Sequence, residues 1–376
     1  MNRLPLRVVL IALTIGLLAL FAAACGSSDD APAGAKKMAF KLTDAGCEPH
    51  DAKAPAGPIN FEVENAGTSK VTEMEIMDGE TILGEKENLS EGLSGSFALT
   101  LEKGEYVIYC PGGDDERGTL TVSGELTTAN SPEVKAAVEQ YRGYIEQNTD
   151  ELVAETKPFV AAVVAGDVAK AKLLYPAARI PYERIEPVAE SFGDLDPRID
   201  ARENDAPLKQ WSGFHVIEKA LWENNTAKGM APVAEQLEAD VQELAKNVET
   251  VELQAVQIAN GANELLGEVS ASKITGEEER YSHIDLVDFK ANVEGSEAAF
   301  EAVEPLLSKR DPKLAKEIEA DFDKTFAALV PYETKDGFVS YEDLTKADTR
   351  KLAQSIDTLA EKLSQVPAVI VAGEQA

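Results

Sequence analysis

At Ser131-Pro132-Glu133-Val134-Lys135-Ala136-Ala137-Val138, continuing to Tyr141 and Ile145, the sequence changes its period. Ser131 is an N-cap residue, Pro132 fits the first helical position, and Val134, Val138, Tyr141 and Ile145 fall on one stripe. Downstream the same period returns. Leu237, Val241, Leu244, Val248 and Val251 step by four and three, and Asp311-Pro312 opens a helix with Leu314, Ile318, Phe322, Phe326 and Leu329 on its face. Leu352, Ile356, Leu359 and Leu363 mark the last long helix. Five or more amphipathic helices with short connections predict an all-α bundle over residues 131–372.

Upstream the texture is that of strands. Met38–Leu42, Ile59–Val63, Ser96–Leu101 and Tyr106–Tyr109 are short β-prone runs, separated by turn signals such as Asn65-Ala66-Gly67, Asp78-Gly79 and Pro111-Gly112-Gly113. This spacing predicts a small antiparallel β-sandwich over residues 36–125. The chain of 376 residues is therefore multidomain, all-β followed by all-α.

The first thirty-odd residues read as an address. Arg3 and Arg7 precede an uncharged run from Val8 to Ala24, and Ala22-Ala23-Ala24 lead into Cys25. A basic head, an apolar middle and small residues before a cysteine make a secretory signal over residues 1–24. It resembles the bacterial lipoprotein signal, which implies lipidation of Cys25, a tether over 25–35, and a mature protein anchored by acyl chains outside the cytoplasm, in a periplasm or on the outer face of the cytoplasmic membrane.

The charge excludes one class of partner. Lys and Arg number 36 against 67 Asp and Glu, a formal charge of −31, which argues against nucleic acid as a partner. Most of those carboxylates are expected to be solvated surface. The scarce residues are more informative, because the chain has 3 His and 3 Cys. His215 and Glu218 stand at i, i+3 between Trp211 and Trp222, close enough around a helix to reach one point. An imidazole with a carboxylate suits a transition metal better than calcium or magnesium. Glu183 and Glu186 share a helical face in a segment interrupted by prolines, and Asp194 to Glu203 is an irregular, carboxylate-dense stretch. A structural or supporting role is expected for His283.

These segments together carry a resemblance. Trp211–Trp222, Ala178–Pro187, Ile199–Glu203 and Ile274–His283 resemble the EfeO iron-uptake family, which joins a cupredoxin-like domain to an imelysin-like helical domain. The resemblance implies an extracytoplasmic iron-binding component of an EfeUOB-type system. It serves a membrane iron permease alongside a haem peroxidase-like component. It also implies His215, Glu218, Glu183 and Asp200 as iron ligands. Two enzymatic readings stand beside it, an imelysin-like metallopeptidase and a copper-dependent ferroxidase. Against the first, Val216 follows His215, where H-E-x-x-H would place a general base.

The small domain departs from a blue-copper carrier, since only His50 lies in it. Cys47 and Cys110 either form a disulfide or bind a metal, with copper as the metal considered. Glu73 and Glu75 are the further candidate ligands, expected on one face of a strand from Val71 to Ile76.

Overall fold

The computed structural model describes residues 36–373 apart from Glu80, 126–130, 206–207 and Asp336. The signal, Cys25 and the tether lie outside the described residues. Among the described residues nine strands come first: β1 (Lys36–Thr43), β2 (Gly46–Glu48), β3 (Ala52–Pro55), β4 (Gly57–Asn65), β5 (Met74–Asp78), β6 (Thr81–Lys86), β7 (Ser94–Leu101), β8 (Gly104–Tyr109) and β9 (Arg117–Ser123). They form two sheets in the orders β2-β1-β4-β7 and β3-β9-β8-β5-β6. The sandwich is mixed rather than wholly antiparallel, because β1 pairs with β4 and β3 with β9 in parallel. Between β1 and β4 the chain passes through β3 in the other sheet, and this crossing brings β4 back in the direction of β1.

Alternation builds the sandwich core. Phe40 and Leu42 of β1, Ile59, Phe61 and Val63 of β4, and Phe97 and Leu99 of β7 are all buried, with the Phe61 and Phe97 rings stacked at 4.8 Å between centroids. A Cys47–Cys110 disulfide bridges the two sheets, with Cα atoms 5.8 Å apart. Of the two sequence readings of these cysteines, the structure carries the disulfide. Neither sulfur is then left as a thiolate for copper or another metal. Glu73 also differs from expectation, because the strand starts at Met74 and Glu73 precedes it. Glu75 lies in β5, opposite Tyr109 and Glu85, and is buried.

Ten α-helices follow among the described residues: α1 (Pro132–Val164), α2 (Val168–Ile185), α3 (Leu195–Asp200), α4 (Phe214–Trp222), α5 (Ala231–Val248), α6 (Ala255–Ala271), α7 (Asp285–Ser308), α8 (Pro312–Leu329), α9 (Lys346–Leu363) and α10 (Val366–Gly373). Ser131 caps α1 by accepting from the Val134 amide at 3.2 Å, and Asp311 caps α8 by accepting from Leu314 at 2.9 Å. No helix among the described residues is long and apolar enough to cross a membrane. The stretch read as irregular from Asp194 contains α3. Leu195 and Ile199, four residues apart and both buried, give this short turn a reason to be helical.

The two domains pack directly. Asn260 of α6 clamps β7, donating to the Ala98 carbonyl at 2.6 Å and accepting from its amide at 3.4 Å. Lys86 of β6 pairs with Glu264 of α6 at 2.7 Å, and Gln257 donates to the Leu83 carbonyl at 3.1 Å.

Candidate metal centre

Four segments of the helical domain converge on one buried charged cluster. On α2, Tyr175, Arg179 and Glu183 recur every four residues and so share a face. The next segment continues past Ile185 as a 3-10 turn over Glu186–Phe192 and then enters α3, whose last residue is Asp200. His215 and Glu218 sit on the first two turns of α4. The turn before α7 supplies Glu278 and Glu279, and α7 itself supplies Asp285, Asp288 and Asn292. Close backbone approach sets the geometry. Gly295 of α7 lies so near α2 that a Cβ there would be 2.3 Å from the Arg184 carbonyl oxygen.

His215 is almost wholly buried, with carboxylates on both sides of its ring. Nδ1 lies 3.0 Å from Glu218 Oε2. The other oxygen, Glu218 Oε1, accepts the backbone N–H groups of Tyr281 at 2.8 Å and Ser282 at 2.7 Å. That carboxylate is held in place and in turn orients the imidazole. Across the ring, Nε2 lies 3.5 Å from Asp200 Oδ1 and 3.4 Å from Glu278 Oε1, with no hydrogen-bond partner of suitable geometry.

Asp200, His215 and Glu278 thus offer ligand atoms within 4.8 Å of one another, as do His215, Glu218 and Glu279. Among the described residues, these are the groups of three that come together, and both lie in the helical domain.

Arg179 occupies the rear of the cluster with zero exposure. Its guanidinium contacts Glu183 and Asp200, and reaches Glu278 at 3.2 Å, Glu279 at 3.1 Å and Asp288 at 3.5 Å. Lys273 adds a second buried cation, 3.5 Å from Glu183, 2.5 Å from Glu186 and 3.6 Å from Glu278. Asn292 donates to Glu183 Oε2 at 2.9 Å and Glu186 Oε2 at 2.6 Å. Seven carboxylates therefore surround one guanidinium, one ammonium and one imidazole, a concentration of negative charge that burial alone would oppose.

The environment divides these acids in two. Burial pushes Glu278 up, but Lys273, His215 and Arg202 outweigh it and hold it well below the usual range. Burial likewise opposes ionisation of Glu183, which Arg179 and Lys273 bring down, and of Glu218, which the His215 hydrogen bond brings down. In contrast, burial together with Glu218 and Asp288 keeps Glu279 well above its ordinary value. Burial and Glu183 push Asp288 up to about 8. For His215, burial and Arg179 act downward and the carboxylates of Glu218 and Glu278 act upward, with a net upward shift. Glu278 beside Nε2 and Glu218 beside Nδ1 are thus held anionic, as is Glu183, while Glu279 and Asp288 hold protons.

The cluster opens on one side. Asp200 and Glu278 also line a cleft of about 500 Å³ between the helical domain and the β5–β6 end of the sandwich. Glu73 reaches the cleft from the sandwich, and Glu186, Asp196 and Glu268 line it from the helical side.

Of the residues expected from the sequence, His215, Glu218 and Asp200 meet. Glu183 lies across Arg179 from them, in the same shell. Cys47, Cys110 and Glu75 lie in the sandwich, and Glu73 faces the cleft. His283 is partly exposed, 3.7 Å from Glu342, and its backbone N–H closes the 279–283 turn on the Glu279 carbonyl at 2.8 Å. Sequence reasoning passed over Glu278, Glu279, Asp288, Arg179 and Lys273 as site residues. One signal for them existed: Asp285, Asp288, Asn292 and Ser296 recur at helical spacing as a polar stripe along α7, and all four are buried.

A cupredoxin-like sandwich followed by a helical domain with a buried imidazole–carboxylate centre defines the class. The cupredoxin-like family description matches residues 15–122, and that of imelysin matches residues 137–366. The chain is 41% identical over 369 residues to the iron uptake system component EfeO of Escherichia coli K12, covering 96% of this chain and 97% of that relative. The same component from Shigella flexneri matches at the same identity and coverage. A solved structure of an iron-regulated protein A precursor from Parabacteroides distasonis covers 64% of this chain and 96% of its own, with a TM-score of 0.52 at 18% identity, a likeness of fold. The chain belongs to the EfeO family of iron uptake system components.

Proposed function

We propose that this protein captures iron outside the cytoplasm, holds it at His215 Nε2 between Asp200 and Glu278, and passes it to a membrane permease. The observation that carries this reading is the His215 Nε2 atom itself. It is buried, lacks a hydrogen-bond partner, and is turned toward two carboxylate oxygens at 3.5 and 3.4 Å. One nitrogen and anionic oxygens suit iron, whose ferric form favours oxygen donors. In this arrangement Glu218 fixes the tautomer and ring orientation rather than meeting the ion, as carboxylates behind metal-bound histidines do. Glu183 supplies charge from behind Arg179. Membership of an iron-uptake family supports iron as the cargo.

The protein is read as a carrier and not an enzyme. Val216 stands where a zinc peptidase would place its general base, and the Cys47–Cys110 bond removes the thiolate that copper chemistry in the sandwich would need. Lipid attachment at Cys25 would keep the carrier beside its permease and the haem peroxidase-like component of the same system.

The test is calorimetric titration of the full chain with Fe(III) supplied as its citrate complex. His215→Ala combined with Glu218→Ala should abolish tight binding. Unchanged affinity in the double variant would sink the assignment.

A further inference from the structure

Arg179 touches the very oxygens that face His215 Nε2. Its guanidinium is in contact with Asp200 Oδ1 and lies 3.2 Å from Glu278 Oε1, the two atoms 3.5 and 3.4 Å from the imidazole. A fully buried arginine packed against the Phe214 ring at 5.3 Å and contacted by five carboxylates is more than a helix-to-helix tie. We infer that Arg179 is a tethered counter-ion that occupies the cargo's own ligand oxygens in the ion-free protein and gives them up when the ion loads. This rests on the ion-binding reading above.

The argument is one of charge and space. Without a cation, the carboxylates nearest His215 could not stay ionised side by side in a buried site. The guanidinium bridges Asp200 and Glu278, and Lys273 and Arg202 add their charge at Glu278, so the pair stays assembled. An incoming ion needs the same two oxygens, and two cations cannot share them in a medium of low polarity without strong repulsion. The guanidinium keeps partners when it gives up Asp200 and Glu278, because Nη2 also contacts Glu183 and lies 3.5 Å from Asp288, and Nε lies 3.1 Å from Glu279. Loading is then an exchange of one cation for another inside a standing cage. The exchange lowers net affinity and leaves a cation ready to retake the oxygens on release, which suits a carrier that must let go.

The experiment uses the full chain with Ga(III), a diamagnetic stand-in for Fe(III), supplied as its nitrilotriacetate complex, and separately with Zn(II). Arg179→Gln should bind at least roughly tenfold more tightly than the wild type. Its ion-free form should melt earlier and its loaded form should recover. An arginine with a merely structural role predicts weaker binding along with the earlier melting, and that result would overturn the inference. Should Arg179→Gln fail to fold, the wild type decides. The side-chain NMR resonance lost in Arg179→Lys should move on Ga(III) addition, and a resonance that stays put refutes the exchange. His215→Ala with Glu218→Ala separates the two claims. If that variant loses the ion while Arg179→Gln does not gain it, the site stands and the counter-ion role falls.

Discussion

Gly213→Ala tests how the centre is assembled. Gly213 immediately precedes α4 at φ 84°, ψ −158°, a region open essentially to glycine, and an alanine held there costs about 1–3 kcal/mol. The Cβ would also collide with the backbone before Asp200, lying 2.0 Å from the Ile199 carbonyl oxygen and 2.8 Å from that of Arg198. Ordinary contact begins at 3.4 Å, so the two segments must part by about 1.4 Å. Crowding of this kind adds roughly 1–3 kcal/mol. The parting falls where it matters, because Ile199 is joined to Asp200 and Gly213 lies two residues before His215. The 3.5 Å gap between His215 Nε2 and Asp200 Oδ1 would open, and with it the ion's ligand set.

Gly229→Ala is the control. Gly229 also has a positive φ, 85°, but a Cβ there meets nothing within 4 Å. Thermal unfolding should show Gly213→Ala lower than Gly229→Ala by several degrees. Titration with Ga(III) should show weakened binding in the first and unchanged binding in the second. Equal ion affinity in the two variants would refute the view that the α3–α4 contact sets the ligand geometry.

Three further outcomes follow from the structure. Replacing Cys47 and Cys110 by serine frees a closed loop spanning 63 residues of separation, and should cost about 4 kcal/mol in denaturant unfolding of the sandwich while leaving ion affinity at His215 unchanged. Asn260→Ala strands the Ala98 amide and carbonyl at the domain interface, and should cost roughly 1–3 kcal/mol by the same measurement. The ion-free protein should lose stability as pH rises above about 6.5, in a series of melting curves. His215 has a raised pKa when folded, so its contribution is complete below the unfolded value and is lost as pH climbs through the folded one. Asp288, raised to about 8, acts in the same direction, because the folded state holds a proton that the unfolded state has already released. Ion affinity should rise over the same window, since the ion displaces the His215 proton.

The fold was legible because period is a local property. The change at Ser131 from alternation to helical stripes falls where α1 begins, and the caps at Ser131 and Asp311 stand where the sequence predicts them. Parallel pairing of β1 with β4 was not legible, since it depends on which sheet an intervening strand joins. The candidate metal centre was legible in half. His215 and Glu218 announce themselves at i, i+3 on one helix. Glu278 and Glu279 sit in an acidic run that reads equally well as solvated surface, and only the docking of α7 on α2 turns them inward. Arg179 was hidden for a related reason: a lone arginine four residues before a glutamate is an ordinary surface pair until both are buried.

On the proposed reading, that burial also lets so acidic a chain keep a selective site. Exposed carboxylates attract cations weakly and without preference, because water and salt screen them. Inside the cluster the same groups are held by backbone amides, as Glu218 is by Tyr281 and Ser282, or by internal cations, as Glu183 and Glu278 are by Arg179 and Lys273. Their charges are therefore kept without solvent. Asp200 and Glu278 join this inner set to the cleft that Glu73, Asp196 and Glu268 also line, half-buried carboxylates whose burial pushes their pKa up. On the proposed reading a cation reaches the inner set through that cleft, and the sandwich serves as one of its walls.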